Sequence, residues 1–175
     1  SVVKVFFQQG VYINLATAFL AAFVVGMFEG TIAKWTALAV FLPIVAGQGG
    51  NAGMQTLTVI IRDIALGEIT PGDGRRALLK EMILGLLNGL AIGGVVGLVG
   101  WLWQGSILLG LVAGTAMWLN QLSAAAAGVI IPLGLKKLRL DPALASSIFL
   151  TTVTDVAGFF FFLGLATLGL KWLAA

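Results

Sequence analysis

The sequence predicts an all-α membrane domain with five transmembrane helices per chain. Three observations carry that expectation. Of the 175 residues, 59% are hydrophobic and only 10% charged. Mean hydropathy is +1.07, and the charges collect in short clusters between long apolar runs. A soluble core could not hide so much apolar surface. A helix needs about 20 apolar residues to cross the roughly 30 Å hydrocarbon core. Runs of that kind lie at Val11–Phe28, Trp35–Ile61, Met82–Trp103, Ser106–Leu135 and Ala143–Leu170, and residues 1–175 read as one pore-type membrane domain.

The first span has no basic-then-apolar stretch ending in a small-residue cleavage site, so it reads as a retained helix and not as a signal peptide. A start at Ser1 directly before apolar sequence is expected of a piece of something larger. Glu29, near the end of this span, reads as a solvated end residue, with electrostatic collection of cations as the alternative.

In the second span Pro43 is followed by the run Ala46-Gly-Gln-Gly-Gly-Asn-Ala-Gly-Met-Gln55. Glycine costs about 1 kcal/mol per helical position relative to alanine, and proline removes a backbone donor. The helix is therefore expected to be kinked or discontinuous near mid-membrane, freeing carbonyls. Irregular backbone is tolerated at that depth only inside protein or beside a water-filled cavity, where transporters place ion sites. A glycine-lined packing face is the alternative. A phosphate-cradling loop is excluded, because no strand precedes Gly47-Gln48-Gly49 and no Lys-Ser/Thr follows it.

The segment Asp63–Arg76 carries Pro71, Gly72 and Gly74 with mixed charges and reads as a surface loop. In the third span Gly85, Gly89, Gly93 and Gly97 recur every four residues, a stripe that lets helices approach closely. The turn at Gln104 and Gly105 is so short that spans three and four must be antiparallel neighbours. Asn120 and Gln121 in span four read as interhelical hydrogen-bonding groups.

Eight of the ten basic residues (Lys4, Arg62, Arg75, Arg76, Lys80, Lys136, Lys137 and Arg139) fall on one side of this layout, and only Lys34 and Lys171 on the other. The positive-inside bias then puts the N-terminus in the cytoplasm and the C-terminus outside. Trp35, Trp101, Trp103 and Trp172 fall at span ends on the outer side, as an aromatic belt. The net charge of +3 is thus topological, and nucleic acid is not an expected partner.

The fifth span carries Ser147, Thr151 and Asp155 at i, i+4 spacing, with Thr154 and Gly158 alongside, so one helical face is polar. Asp155 lies roughly 14 residues past Asp141-Pro142, which is roughly 21 Å into the membrane at ~1.5 Å per residue. A carboxylate there costs about 3 kcal/mol on insertion scales and ordinarily marks a pathway, a relay or a partner. A protonated, hydrogen-bonded structural Asp is the competing reading.

Cysteine and histidine are both absent, which excludes thiolate redox chemistry, structural zinc and imidazole catalysis. The available donors are carboxylate, hydroxyl, amide and carbonyl oxygens, which suit magnesium, calcium or manganese. A two-fold homodimer would bring two Asp155 side chains to one axis and balance a divalent charge. Magnesium, which dehydrates reluctantly, could cross with waters retained.

The run Pro43-Ile-Val-Ala-Gly-Gln-Gly-Gly-Asn-Ala-Gly-Met-Gln-Thr56, the Arg62–Glu68 segment after it, and Thr151-Thr-Val-Thr-Asp-Val-Ala-Gly-Phe159 resemble the signatures of the MgtE magnesium channels. The resemblance covers all five spans. It implies a homodimeric, multi-pass channel in the inner (plasma) membrane, surrounded by lipid. The pore would run between the second and fifth spans of both subunits, with hydrated Mg2+ at Asp155 and backbone oxygens of Gly47, Gly50 and Gly158 nearby. Asn51, Ser147, Thr151 and Thr154 complete the expected pore lining. The family's cytosolic superhelical domain, paired nucleotide-binding-type module and connecting helix have no counterpart in this sequence.

Three other classes compete. A cation-coupled secondary transporter would also use a mid-membrane carboxylate, but no second copy of the Gly-rich motif is present. An intramembrane aspartyl protease needs two carboxylates in one site, and the spans as drawn contain only Asp155, so no enzyme is expected. A non-conducting structural subunit would be indifferent to Asp155→Asn.

Overall fold

A computed structural model describes residues 2–173, with side-chain surroundings for 10–70, 72–143 and 146–171. The side chains of Lys4, Pro71 and Trp172 lie outside the described set. In order, the elements are α1 (Val2–Gly26), α2 (Glu29–Lys34), α3 (Ala37–Ala65), a 3-10 turn (Pro71–Asp73), α4 (Gly74–Gln104), α5 (Ile107–Lys137) and α6 (Pro142–Leu173). The chain is helical throughout its described elements. Four helices, α3, α4, α5 and α6, are long and apolar enough to cross a bilayer, while the apolar part of α1, Gly10–Gly26, is shorter.

Helix α5 occupies the centre, packed against α3, α4 and α6, and α1 lies outside against α6. The largest core cluster joins Leu38, Phe41 and Val45 of α3 to Ala113, Ala116 and Met117 of α5 and to Phe162, Leu163 and Ala166 of α6. Most described side chains of α1 are exposed, with Ala21 and Val24 buried. An apolar exterior of this kind is what lipid solvates, so the interior is held by packing and interhelical hydrogen bonds.

The turn between α4 and α5 is as short as the sequence requires. Gly105 takes a left-handed φ of 67° and donates its N–H to the Trp101 carbonyl at 2.8 Å. A side chain would strain this position. Ser106 then caps α5, its hydroxyl accepting from the Leu109 N–H at 3.2 Å. The stripe on α4 brings the backbones together. A methyl group built on Gly93 would stand 2.6 Å from the Gly114 carbonyl oxygen, and one on Gly97 would stand 2.9 Å from that of Gly110.

Two expectations need correction. The loop after α3 is short, because α4 begins at Gly74 and not near Met82, so Arg75, Arg76, Lys80 and Glu81 are helical. Helices need not stop at the edge of the hydrocarbon, and charged side chains simply mark where α4 leaves it. The start is built locally: the hydroxyl and backbone N–H of Thr70 both donate to Asp73, at 2.7 and 3.0 Å. These two bonds hold the Asp73 carboxyl below the ordinary carboxylate range.

The second correction concerns the expected discontinuity. Helix α3 runs unbroken from Ala37 to Ala65, through Pro43 and the glycine run. The propensity penalty of glycine is about 1 kcal/mol, smaller than the several kcal/mol lost when a backbone group is left unpaired in lipid. The glycines act as contact points instead. A methyl group on Gly53 would lie 2.8 Å from Leu150 of α6.

Candidate functional site

Helices α3, α5 and α6 converge on Asn120, which is completely buried. Its Nδ2 donates to the Val45 carbonyl of α3 at 2.9 Å. The side chain fits between two glycines. A methyl group on Gly49 would overlap it, and one on Gly158 of α6 would stand 2.6 Å from its Nδ2. Its Oδ1 is buried and has no hydrogen-bond partner. The interhelical role read from the sequence for Asn120 is thus realised across three helices.

Next to this junction, Gly50 of α3 faces Thr154 of α6, where an added methyl would lie 4.0 Å from the hydroxyl oxygen. Thr154 is fully buried and donates to the Thr151 carbonyl at 3.1 Å. Thr151 is partly buried, its hydroxyl shared between the Ser147 and Ile148 carbonyls, both at 3.1 Å. Both hydroxyl hydrogens are therefore spent within the helix, and the oxygens keep lone pairs for an electrophile. Ser147 is partly buried.

Asp155 is also partly buried, and its carboxylate makes no hydrogen bond or ion pair among the described residues. No group of three or more acidic, His or Cys side chains that could hold a metal occurs among the described residues. One chain therefore offers an ion here a single carboxylate.

The remaining candidates divide by face. Gly47 and Asn51 lie on the exposed side of α3, with open space around Gly47. Gln48, Gln55 and Thr58 share that exposed side. Gly158, Gly50 and Thr154 lie in the seam between α3, α5 and α6. A polar face on a membrane-length helix, left uncovered by its own chain, has to meet water or another protein surface.

A second acidic residue, Glu81 of α4, is 8% exposed and accepts a 3.1 Å hydrogen bond from the Thr56 hydroxyl of α3. In the sequence Glu81 stands one position before the apolar run starting at Met82, which hides it from a search for charges within spans. The neighbouring Arg75, Arg76 and Lys80 gave it the look of a loop charge.

The MgtE family profile, described as "Divalent cation transporter", matches residues 42–165. The chain is similar to proteins named magnesium transporter MgtE from three bacteria. It is 38% identical over 160 residues to that of Thermus thermophilus, covering 91% of this chain and 35% of the relative. It is 33% identical over 144 residues to that of Bacillus subtilis, covering 82% and 32%. For Enterococcus faecalis the identity is 32% over 161 residues, covering 92% and 35%. The chain spans about a third of the length of these relatives. With the matched segment running from the start of the α3 glycine run to beyond Asp155, the chain belongs to the MgtE family.

Proposed function

We propose that this chain is the pore-forming membrane part of a magnesium transporter, and that two copies enclose a path on which Asp155 holds the ion. The observation that carries the reading is the pairing of two uncompensated polar features. One is the exposed Gly47, Gln48, Asn51 and Gln55 face of α3, and the other is the unpartnered Asp155 carboxylate on α6. A second copy set against α3 and α6 would cover the first and supply a second carboxylate to the second, giving two negative charges for one divalent ion. Mg2+ would enter with most of its waters, so amide, hydroxyl and carbonyl oxygens at Asn51, Ser147, Thr151 and Gly47 would touch its hydration shell. Gly50, Thr154 and Gly158 set the spacing of α3 and α6 behind that lining. The excess of basic residues at the α3–α4 and α5–α6 connections favours an N-terminus in the cytoplasm and a C-terminus outside, with α1 as a fifth span.

The test is cation uptake into liposomes by purified protein. Wild type is expected to admit Mg2+, and Asp155→Ala to lose that uptake while keeping its elution profile and melting temperature. Equal Mg2+ uptake by the two proteins would remove Asp155 from the path. Single cysteines along α6, in a chain with none of its own, are expected to crosslink between copies near position 155. A complete absence of crosslinks there would exclude the shared site.

A further inference from the structure

A cavity of about 280 Å³ with mixed polar and apolar walls opens between α3, α4 and α5. Its walls include Gln55 and Thr56 of α3, Lys80, Glu81 and Asn88 of α4, and Gln121 of α5. Two of these side chains are more than nine-tenths buried, Glu81 at 8% exposure and Gln121 at 2%. Each is incompletely satisfied. Glu81 receives one hydrogen bond, from Thr56, and no cation reaches it within 4 Å among the described residues. The Gln121 Nε2 has no partner among the described residues. A buried carboxylate with a single hydroxyl donor is left short of positive charge, and a buried amide group without a partner is destabilising. Apolar side chains would have been the cheaper filling had the volume only to be closed.

We propose that this cavity is a second divalent-cation site, distinct from Asp155, in which Glu81 is the anionic ligand. The donor set is all oxygen: the Glu81 carboxylate, the Thr56 hydroxyl, and the amide oxygens of Gln121, Asn88 and Gln55. The Gln121 amide can present either end by rotating. Such donors suit a hard cation. The volume admits the ion together with several waters, each taking about 30 Å³ in the liquid, so a bound ion keeps much of its hydration while Glu81 offsets part of its charge. Lys80 lines the same cavity with an exposed side chain and acts against the ion by repulsion, so the site is weakened by its own wall. Asp155 is not among the walls, and Gln55 alone borders both this cavity and the exposed α3 face assigned to the path.

Mn2+ replaces Mg2+ as an observable probe, titrated into purified full chain by electron paramagnetic resonance with Mg2+ as competitor. In an Asp155→Asn background, Mg2+-displaceable Mn2+ binding is expected to remain. Adding Glu81→Gln, which keeps the acceptor for Thr56, is expected to weaken it about tenfold or more. Lys80→Gln in the same background is expected to tighten it, a change that a purely structural Glu81 would not produce. Should the Glu81 variant not fold, Thr56→Val combined with Gln121→Met has to weaken binding in its place. Loss of all binding in Asp155→Asn alone overturns the proposal, as does binding indifferent to the Glu81 change. Neither result bears on liposome uptake by Asp155→Ala, so the two readings fail separately.

Discussion

Toward the Gly105 turn, α4 and α5 meet glycine on glycine, whereas between α3, α5 and α6 glycine meets a side chain. In the first seam the Gly93 and Gly97 positions approach the Gly114 and Gly110 carbonyls, while Gly85 and Gly89 farther along α4 meet the Ala125 and Trp118 side chains. In the second, Gly49 and Gly158 make room for Asn120, Gly53 for Leu150, and Gly50 stands beside Thr154. The Gly93–Gly97 stretch of the α4–α5 seam therefore behaves as backbone-to-backbone packing, while the same two helices part around Glu81 and Gln121 to open the cavity between them and α3. The α3–α6 seam carries polar atoms at membrane depth and leaves Asp155 without a partner. Small residues at four-residue spacing set distance in both places, and what fills the distance decides whether the seam is only mechanical.

The comparison breaks most visibly at Gly93. Gly93→Leu drives a side chain into the Gly114 carbonyl and is expected to destabilise the chain by about 3 kcal/mol, the upper part of the overpacking range, or to prevent folding. Its neighbour Gly94 has nothing within 4 Å of an added methyl. Gly94→Leu is expected to stay within about 0.5 kcal/mol of wild type. Thermal unfolding of the two variants in detergent checks both, and equal losses would mean that the seam is not closed as described.

In the other seam Asn120→Ala removes the 2.9 Å bond to Val45 and empties the space between Gly49 and Gly158. About 1–2 kcal/mol is expected, since interhelical hydrogen bonds in membranes are worth about 0.6 kcal/mol on average and the cavity adds to that. A small effect on stability, of the opposite sign, is expected of Gly47→Ala. The position is helical and open, so alanine is expected to be neutral or to stabilise by up to about 1 kcal/mol. Mg2+ uptake by the same variant is expected to fall, because the added methyl narrows the face assigned to the path. A variant with unchanged uptake would move Gly47 off that face.

The apolar runs made the long helices legible, and the two-residue turn at Gly105-Ser106 made α4 and α5 legible as neighbours. Helix ends were less so. Hydropathy marks where side chains leave the lipid, and α4, at 31 residues and roughly 46 Å, is longer than the roughly 30 Å core. Glu81 fell into that difference. The α3 glycines suggest a kink or break when propensity is applied to the helix alone, whereas the packing contacts they make with Asn120 and Leu150 belong to other parts of the chain. The Ser147–Thr151–Asp155 stripe was readable as a polar face from spacing alone. That Thr154 turns inward to Gly50 while Asp155 stays unpaired depends on the rotation of α6 against α3, which no local pattern encodes.

Asn120 and Gln121 are consecutive on α5, yet one enters the junction of α3 and α6 while the other lines the cavity toward α4. Successive positions on a helix point about 100° apart, so this pair fixes the rotational setting of α5 from two directions at once. Turning α5 would withdraw Asn120 from its glycine slot, and sliding it would part the glycine contacts with α4. The helix is in effect the fixed post of the domain, against which α3, α4 and α6 are each set.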